Sequence, residues 1–155
     1  MLRQLERFVL RVGYRLLRMS WRLRHPVTLG VRLLLVENEK ILLVKHTYRP
    51  GWFLPGGRPD RGESLASTAR REAHEEAGVE TEDVELLGIV SHLPSWRSDH
   101  VAIFRANCFD RRPCSSREIE RVKMFSLNAL PDDTSDEALA VLQNLRSEDR
   151  GYCIV

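Results

Sequence analysis

The sequence predicts an α/β fold in which one folded domain follows a basic amphipathic helix. Strand-like apolar runs dominate from Val27 onward, and helical patterns interrupt them at residues 65–77 and 135–146. Before Val27 the apolar residues recur with a helical period instead. A chain of 155 residues has the usual length of a single domain. We therefore expect a helix over residues 1–25 and one domain over residues 26–155.

The first 25 residues are predicted to form a helix with one basic face. Seven arginines and one acid lie within residues 1–24, so the rest is net acidic although the whole chain carries +2. On a wheel of about 3.6 residues per turn, six arginines share one third of the circumference and apolar residues oppose them. These apolar residues are Leu2, Leu5, Phe8, Val9, Val12, Leu16, Met19 and Leu23. The helix should end before Pro26, because the residue preceding a proline avoids helical backbone.

Three interpretations of this helix remain open. Its apolar stripe can pack on the domain or on a second copy in a homodimer. Arginines on one face and apolar side chains on the other also suit peripheral contact with an anionic membrane surface. A cleaved mitochondrial presequence is the third interpretation, and Glu6 and the scarcity of serine count against it.

Charge and cysteine usage indicate where the protein acts. A net-acidic body argues against binding duplex nucleic acid, which requires clustered basic residues on the main surface. The three cysteines, Cys108, Cys114 and Cys153, are odd in number and lack zinc-site spacing. No apolar run is long enough to span a bilayer, and no secretory signal is recognisable. We expect a reduced, cytoplasmic compartment.

The first part of the domain is predicted to be a β-hairpin followed by a loop. Residues 27–36 and 41–45 read as strands, and the polar residues 37–40 between them favour a turn. Residues 49–57 contain two prolines and three glycines, which exclude a long regular element.

The remaining elements alternate between helix and strand. A helix is predicted over Leu65–Ala77, and Gly78 is suited to end it. Three further strands are predicted at residues 84–93, 100–109 and 122–127. A last helix covers residues 135–146, and the aspartates around its start suit the positive end of its dipole.

Three glutamates on the first of these helices form the strongest candidate site. Glu72, Glu75 and Glu76 stand at positions i, i+3 and i+4, so their carboxylates share one face. Such like-charge pairs destabilise an exposed helix by about 0.2–0.5 kcal/mol each, a cost that a divalent cation would remove. Hard oxygen ligands favour Mg²⁺ or Mn²⁺, which commonly also bind phosphate groups. The alternative is a merely solvated acidic face.

The residues around these glutamates support a cation site. Gly57 lacks a side chain, so its carbonyl can approach a metal closely and is a candidate ligand. Arg71 can pair with Glu63, or it can hold one of the three glutamates in orientation, as residues that contact metal ligands commonly do.

Residues 57–79, GRPDRGESLASTARREAHEEAGV, fit the pattern G-x₅-E-x₇-R-E-U-x-E-E-x-G-U, with U apolar. The pattern is the Nudix box, and the chain is identified on it as a member of the Nudix hydrolase family. The resemblance implies an α/β/α sandwich around a mixed sheet, with the box glutamates Glu72, Glu75 and Glu76 binding Mg²⁺ or Mn²⁺. It also implies hydrolysis of a phosphoanhydride bond in a small nucleoside diphosphate linked to another group. A nucleotide-binding module of the same fold without catalysis, and a membrane-surface hydrolase of a lipid-linked diphosphate, are the alternatives.

The family mechanism implies a general base within reach of the attacking water. Glu76 or Glu75 can serve, and relatives often use a glutamate beyond the box. Glu118 and Glu120, just before the strand predicted at residue 122, are therefore further candidates. Their alternative interpretation is as exposed loop acids.

The nature of the substrate is indicated only by aromatic residues and one proline. Trp52, Phe53 and Trp96 are candidates to stack on a nucleotide base, although such residues are more often part of a core. Pro94 lies fifteen positions beyond Val79, which is similar to a proline in the ADP-sugar pyrophosphatase subgroup of the family. The resemblance favours an ADP-ribose-like compound, with another nucleoside diphosphate derivative or a nucleoside triphosphate as the alternatives.

Overall fold

A mixed β-sheet organises the domain in the computed structural model, which describes residues 8–10, 12–14, 16, 19, 27–92, 98–114, 116–146 and 153–154. The strands are β1 (Val27–Glu37), β2 (Lys40–His46), β3 (Trp52–Phe53), β4 (Val79–Glu80), β5 (Val84–His92), β6 (Ser98–Ala106), β7 (Asp110–Arg111), β8 (Ile119–Ser126) and β9 (Cys153–Ile154). The helices of the domain are α1 (Leu65–Ala77) and α2 (Asp136–Arg146). The main sheet has the order β3-β2-β1-β6-β5-β9, and β8 pairs with β2.

The predicted hairpin is confirmed. β1 and β2 are antiparallel, with Val36 opposite Ile41 and Glu37 opposite Lys40. Asn38 and Glu39 in the turn both have positive φ, 49° and 57°, as the central residues of the tightest hairpin turns do. The sheet is mixed because β1 also runs parallel to β6, whereas β5 runs antiparallel to β6.

The sheet separates two apolar layers, which gives the predicted α/β/α arrangement. Because neighbouring side chains of a strand face opposite ways, Leu33 and Leu35 of β1 pack with alanines of α1, while Leu34 packs with α2. Small alanines on the inner face of α1 bring its backbone close to the sheet; they are Ala69, Ala73 and Ala77.

Helix α1 begins and ends where the sequence predicts. The Ser64 side chain accepts a hydrogen bond from the Ser67 backbone N–H at the start of the helix. Gly78 ends it in the left-handed conformation, with φ 64°. The other boundaries differ from the prediction by a few residues, and the largest differences are three residues: β6 ends at Ala106 rather than at residue 109, and β8 starts at Ile119 rather than at residue 122.

The predicted N-terminal helix falls only partly on described residues. The described ones, 8–10, 12–14, 16 and 19, are helical, and the rest of residues 1–25 lies outside the described part. Phe8, Leu16 and Met19 are each about 60% exposed, whereas Tyr14 lies against Tyr48 of the domain with ring centroids 5.3 Å apart. No helix in the described ranges is long and apolar enough to cross a membrane. The domain boundary at residue 26 stays a prediction.

Candidate functional site

Helix α1 presents its three glutamates at different depths. The Glu75 side chain is 56% exposed and the Glu72 side chain 15% exposed. Glu76 lies deepest, with 7% of its surface exposed, because it is on the same side of the helix as the buried alanines, which face the sheet. The three carboxylates share one side of the helix, but only Glu72 and Glu76 face the interior of the domain.

Glu76 is a buried carboxyl held by the glycine-rich loop. Its Oε2 accepts a hydrogen bond from the Gly56 backbone N–H at 2.8 Å, and its Oε1 lies 3.8 Å from His46 Nδ1. Burial raises the pKa of Glu76 to about 7, and the nearby charge of Glu72 acts in the same direction. A divalent cation would favour the ionised carboxylate, so the energetic setting fits a metal ligand.

Gly56 and Gly57 are required at their positions because neighbouring atoms leave no room for a Cβ. A Cβ on Gly56, which has φ 147°, would lie 2.1 Å from the Val31 carbonyl oxygen. A Cβ on Gly57 would lie 2.4 Å from Oε1 of Glu72. The Gly57 carbonyl already accepts a hydrogen bond from Val31 N–H at 2.8 Å, which leaves a second lone pair for a cation.

Arg71 joins three of the carboxylates on the outer side of the site. Its Nε and Nη2 donate to the two oxygens of Glu63 at 2.9 and 3.0 Å. Its Nη1 donates to Glu72 at 2.9 Å and to Glu75 at 3.2 Å. These contacts lower the pKa of Glu63 to about 2 and raise that of Arg71. Arg71 thus has both of the contacts expected from the sequence.

The oxygen donors of the site suit a hard divalent cation, but they do not complete its coordination by themselves. In the described residues, no three His, Cys, Asp or Glu side chains are grouped closely enough to hold a metal ion. Glu75 instead accepts a hydrogen bond from Arg71 on the outer side of the helix. Mg²⁺ commonly uses only one or two carboxylates and completes its coordination with water and substrate phosphate. Glu72, Glu76 and the Gly57 carbonyl are the residues that would hold it.

The candidate bases beyond the box have different surroundings. Glu120 and Glu76 line one cavity of about 280 Å³. Glu120 belongs to β8 and not to a loop; its side chain is exposed, and it lies where the register with β2 shifts, between Arg121 opposite Lys45 and Ile119 opposite His46. Glu118 is exposed, and its backbone carbonyl accepts a hydrogen bond from Thr47 N–H.

The aromatic candidates lie on opposite faces of the sheet. Trp52 is buried on the α2 side, edge-on to Phe125 with centroids 4.7 Å apart. The sheet therefore separates it from the box glutamates. Phe53 packs on the α1 side, close to His46. Pro94 and Trp96 lie outside the described residues.

Two residues near Glu76 were missed from the sequence. His46 at the end of β2 is 3% exposed, and Arg49 in the following loop stacks on Phe53 and donates to His46. One histidine and one arginine three residues apart match no motif, so the sequence alone does not single them out. Only the pairing of β2 with β3 and β8 encloses them.

Comparison with known proteins supports the family assignment. The NUDIX domain model matches residues 25–145. The chain is 38% identical over 65 residues to the 8-oxo-dGDP phosphatase NUDT18 of Homo sapiens, covering 40% of this chain and only 20% of that protein.

Two solved structures share the fold. A MutT NUDIX hydrolase from Burkholderia pseudomallei is 27% identical with a TM-score of 0.69, covering 76% of this chain and 96% of that one. An ADP-ribose pyrophosphatase from Streptococcus suis 89-1591 is also 27% identical, with a TM-score of 0.57 and coverage of 83% and 98%. With its box intact and its fold shared, the chain belongs to the Nudix hydrolase family.

Proposed function

We propose that this protein hydrolyses a phosphoanhydride bond in a nucleoside diphosphate derivative, using Mg²⁺ or Mn²⁺. The observation that carries the proposal is the pair of inward-facing carboxylates, Glu72 and Glu76, set against the Gly56–Gly57 turn. Two acids at this depth, one of them with a pKa raised to about 7, are costly to keep near each other without a cation.

In this proposal the residues divide into ligands, a base and supports. Glu72, Glu76 and the Gly57 carbonyl would hold the cation, and Glu75 would join them if it left Arg71. When bound, the cation would neutralise charge on the diphosphate and lower the pKa of a coordinated water. Glu120 is the preferred base because it lines the cavity with Glu76, and Glu118, Glu75 and Glu76 are the alternatives. Glu63 and Arg71 hold the acids in place.

We infer the substrate class from a chemical group shared by the compounds that the names of two similar proteins contain. The names of NUDT18 and of the Streptococcus suis protein point to different compounds, 8-oxo-dGDP and ADP-ribose. Both compounds are nucleoside diphosphates or carry one. We propose this shared diphosphate as the recognised group, with Phe53 rather than Trp52 placed to contact the substrate because it lies on the α1 side. A cytoplasmic location also stays a prediction.

A substrate panel tests the activity directly. The purified full chain would be incubated with ADP-ribose, 8-oxo-dGDP, 8-oxo-dGTP and unmodified nucleotides, with Mg²⁺, with Mn²⁺, or with a chelator. We expect turnover of at least one diphosphate compound that stops with the chelator. Absence of turnover across the panel would contradict the proposed activity, and turnover that survives the chelator would contradict the cation.

A second candidate function places the enzyme on a membrane surface. The exposed side chains Phe8, Leu16 and Met19 form a stripe at helical spacing, and the sequence around them is rich in arginine. We expect co-sedimentation with phosphatidylglycerol-containing vesicles but not with phosphatidylcholine alone. The variant L16E should lose this binding, whereas L86E, which changes an exposed leucine of β5, should keep it. Equal binding by L16E, or no sedimentation of the wild type, would exclude this function.

A further inference from the structure

Arg49 is an arginine held in a fixed position beside the box glutamates. Its guanidinium carbon lies 3.6 Å from the centre of the Phe53 ring, a close cation–π contact. Its Nη2 donates a hydrogen bond to His46 Nε2 at 2.8 Å. The two contacts hold the guanidinium in one plane and one direction.

Within the described part of the chain, no carboxylate forms an ion pair with the guanidinium of Arg49. Its Nε is buried and has no hydrogen-bond partner. Burial, and next the charge of Arg32, lower its pKa. Burying a cation without a counter-ion is costly, and proteins usually offset that cost with an anion.

The neighbouring His46 supplies a second unsatisfied donor. Arginine can only donate, so the Nε2 of His46 accepts and the proton of the neutral ring lies on Nδ1. Burial, and then Arg49 and Arg32, lower the pKa of His46 to about 3, which keeps the ring neutral. Nδ1 is buried without a partner, and its nearest acid oxygen, Glu76 Oε1, is 3.8 Å away, beyond hydrogen-bonding distance.

We propose that Arg49 binds a phosphate oxygen of the substrate and that His46 is a positioning residue for it. His46 Nδ1 lies 3.8 Å from Glu76 Oε1 and Arg49 is hydrogen-bonded to the same imidazole ring, so both residues border the place where the proposed function puts the diphosphate. A guanidinium matches phosphate oxygens in geometry as well as in charge. The inference deepens the proposed function and rests on it. The diphosphate would lie between a cation held by the α1 carboxylates and Arg49 on the loop between β2 and β3.

Binding of inorganic pyrophosphate separates this inference from the activity itself. The full-length protein would be titrated calorimetrically with pyrophosphate in the presence of EDTA, so that neither turnover nor a metal contributes. Losing one charge-assisted hydrogen bond corresponds to a weakening of about 10- to 100-fold, which we expect for R49Q. The matched control R105Q removes an exposed arginine of β6 and should bind like the wild type.

Further variants separate contact from folding. R49K keeps the charge but loses the fork of donors, so we expect intermediate affinity. H46L removes the acceptor and should weaken binding, whereas H46Q offers Arg49 an amide oxygen and should restore it. With the best substrate, R49Q should raise KM more than it lowers kcat. Wild-type affinity for pyrophosphate in a folded R49Q would overturn the assignment even if the protein proves to be a hydrolase, and so would an R49Q whose KM for the best substrate is unchanged.

Discussion

The variant E76Q replaces a buried carboxyl with an amide of nearly the same shape, and its effect on stability depends on pH. The folded-state pKa of Glu76 is about 7, against an ordinary value of 4.5. The folded protein therefore retains this proton more tightly than the unfolded chain does. Protonated Glu76 therefore contributes its full stabilisation to the fold below pH 4.5, and this contribution is lost as the pH rises toward 7. Because glutamine does not titrate, the variant avoids this loss.

The size of the effect follows from the pKa difference. At about 1.36 kcal/mol per pKa unit, Glu76 costs the wild type about 2 to 3 kcal/mol of stability between pH 5 and pH 8. In urea unfolding with a chelator, the free energy of unfolding of E76Q should therefore rise relative to that of the wild type by this amount between pH 5 and pH 8. The matched variant E85Q, at an exposed position of β5, controls for the loss of one charge.

Divalent cations should reverse the order of stability of the wild type and E76Q. Mg²⁺ binds the ionised carboxylate of the folded wild type, so added Mg²⁺ should stabilise the wild type at pH 8 and have little effect on E76Q. Curves of wild type and E76Q that stay parallel from pH 5 to pH 8 would show that the burial of Glu76 has no such energetic consequence.

Three further outcomes are expected. G78A should lower the free energy of unfolding by at least about 1 kcal/mol, because φ is 64° and a Cβ would lie 2.1 Å from a backbone carbonyl oxygen; an unchanged urea midpoint would contradict this. E120Q should lower kcat by about 100-fold or more with KM nearly unchanged, and E118Q should have a smaller effect; a reversed order would identify Glu118 as the base. E63Q should lower the melting temperature at pH 7 through loss of the Arg71 pair, and the difference from wild type should shrink as pH falls from 4.5 toward 2; a constant difference would refute that origin.

The box helix could be predicted closely because its signals are local. Ser64 and Gly78 mark its ends, and the alanines and glutamates between them follow the helical period. The relative depths of the glutamates could not be predicted. Glu72, Glu75 and Glu76 have the same chemistry, and only packing against the sheet and the contacts of Arg71 distinguish them.

The shortest strands were missed because no local pattern specifies them. β4 and β7 have two residues each and exist through the pairing of Val79 with Arg111 and Glu80 with Asp110. The early start of β8 has a similar cause. Its pairing with β2 continues past a bulge, where Arg121 is opposite Lys45 and Ile119 is opposite His46, so Glu120 is the extra residue of β8.

A titration with Mn²⁺ followed by electron paramagnetic resonance tests the cation site most directly, because it measures cation binding without needing a substrate. The wild type should bind Mn²⁺, and E72Q and E76Q should each bind it at least about 10-fold more weakly, while E85Q should bind it normally. Equal Mn²⁺ affinity in all four proteins would contradict the assignment of the α1 carboxylates as the cation site.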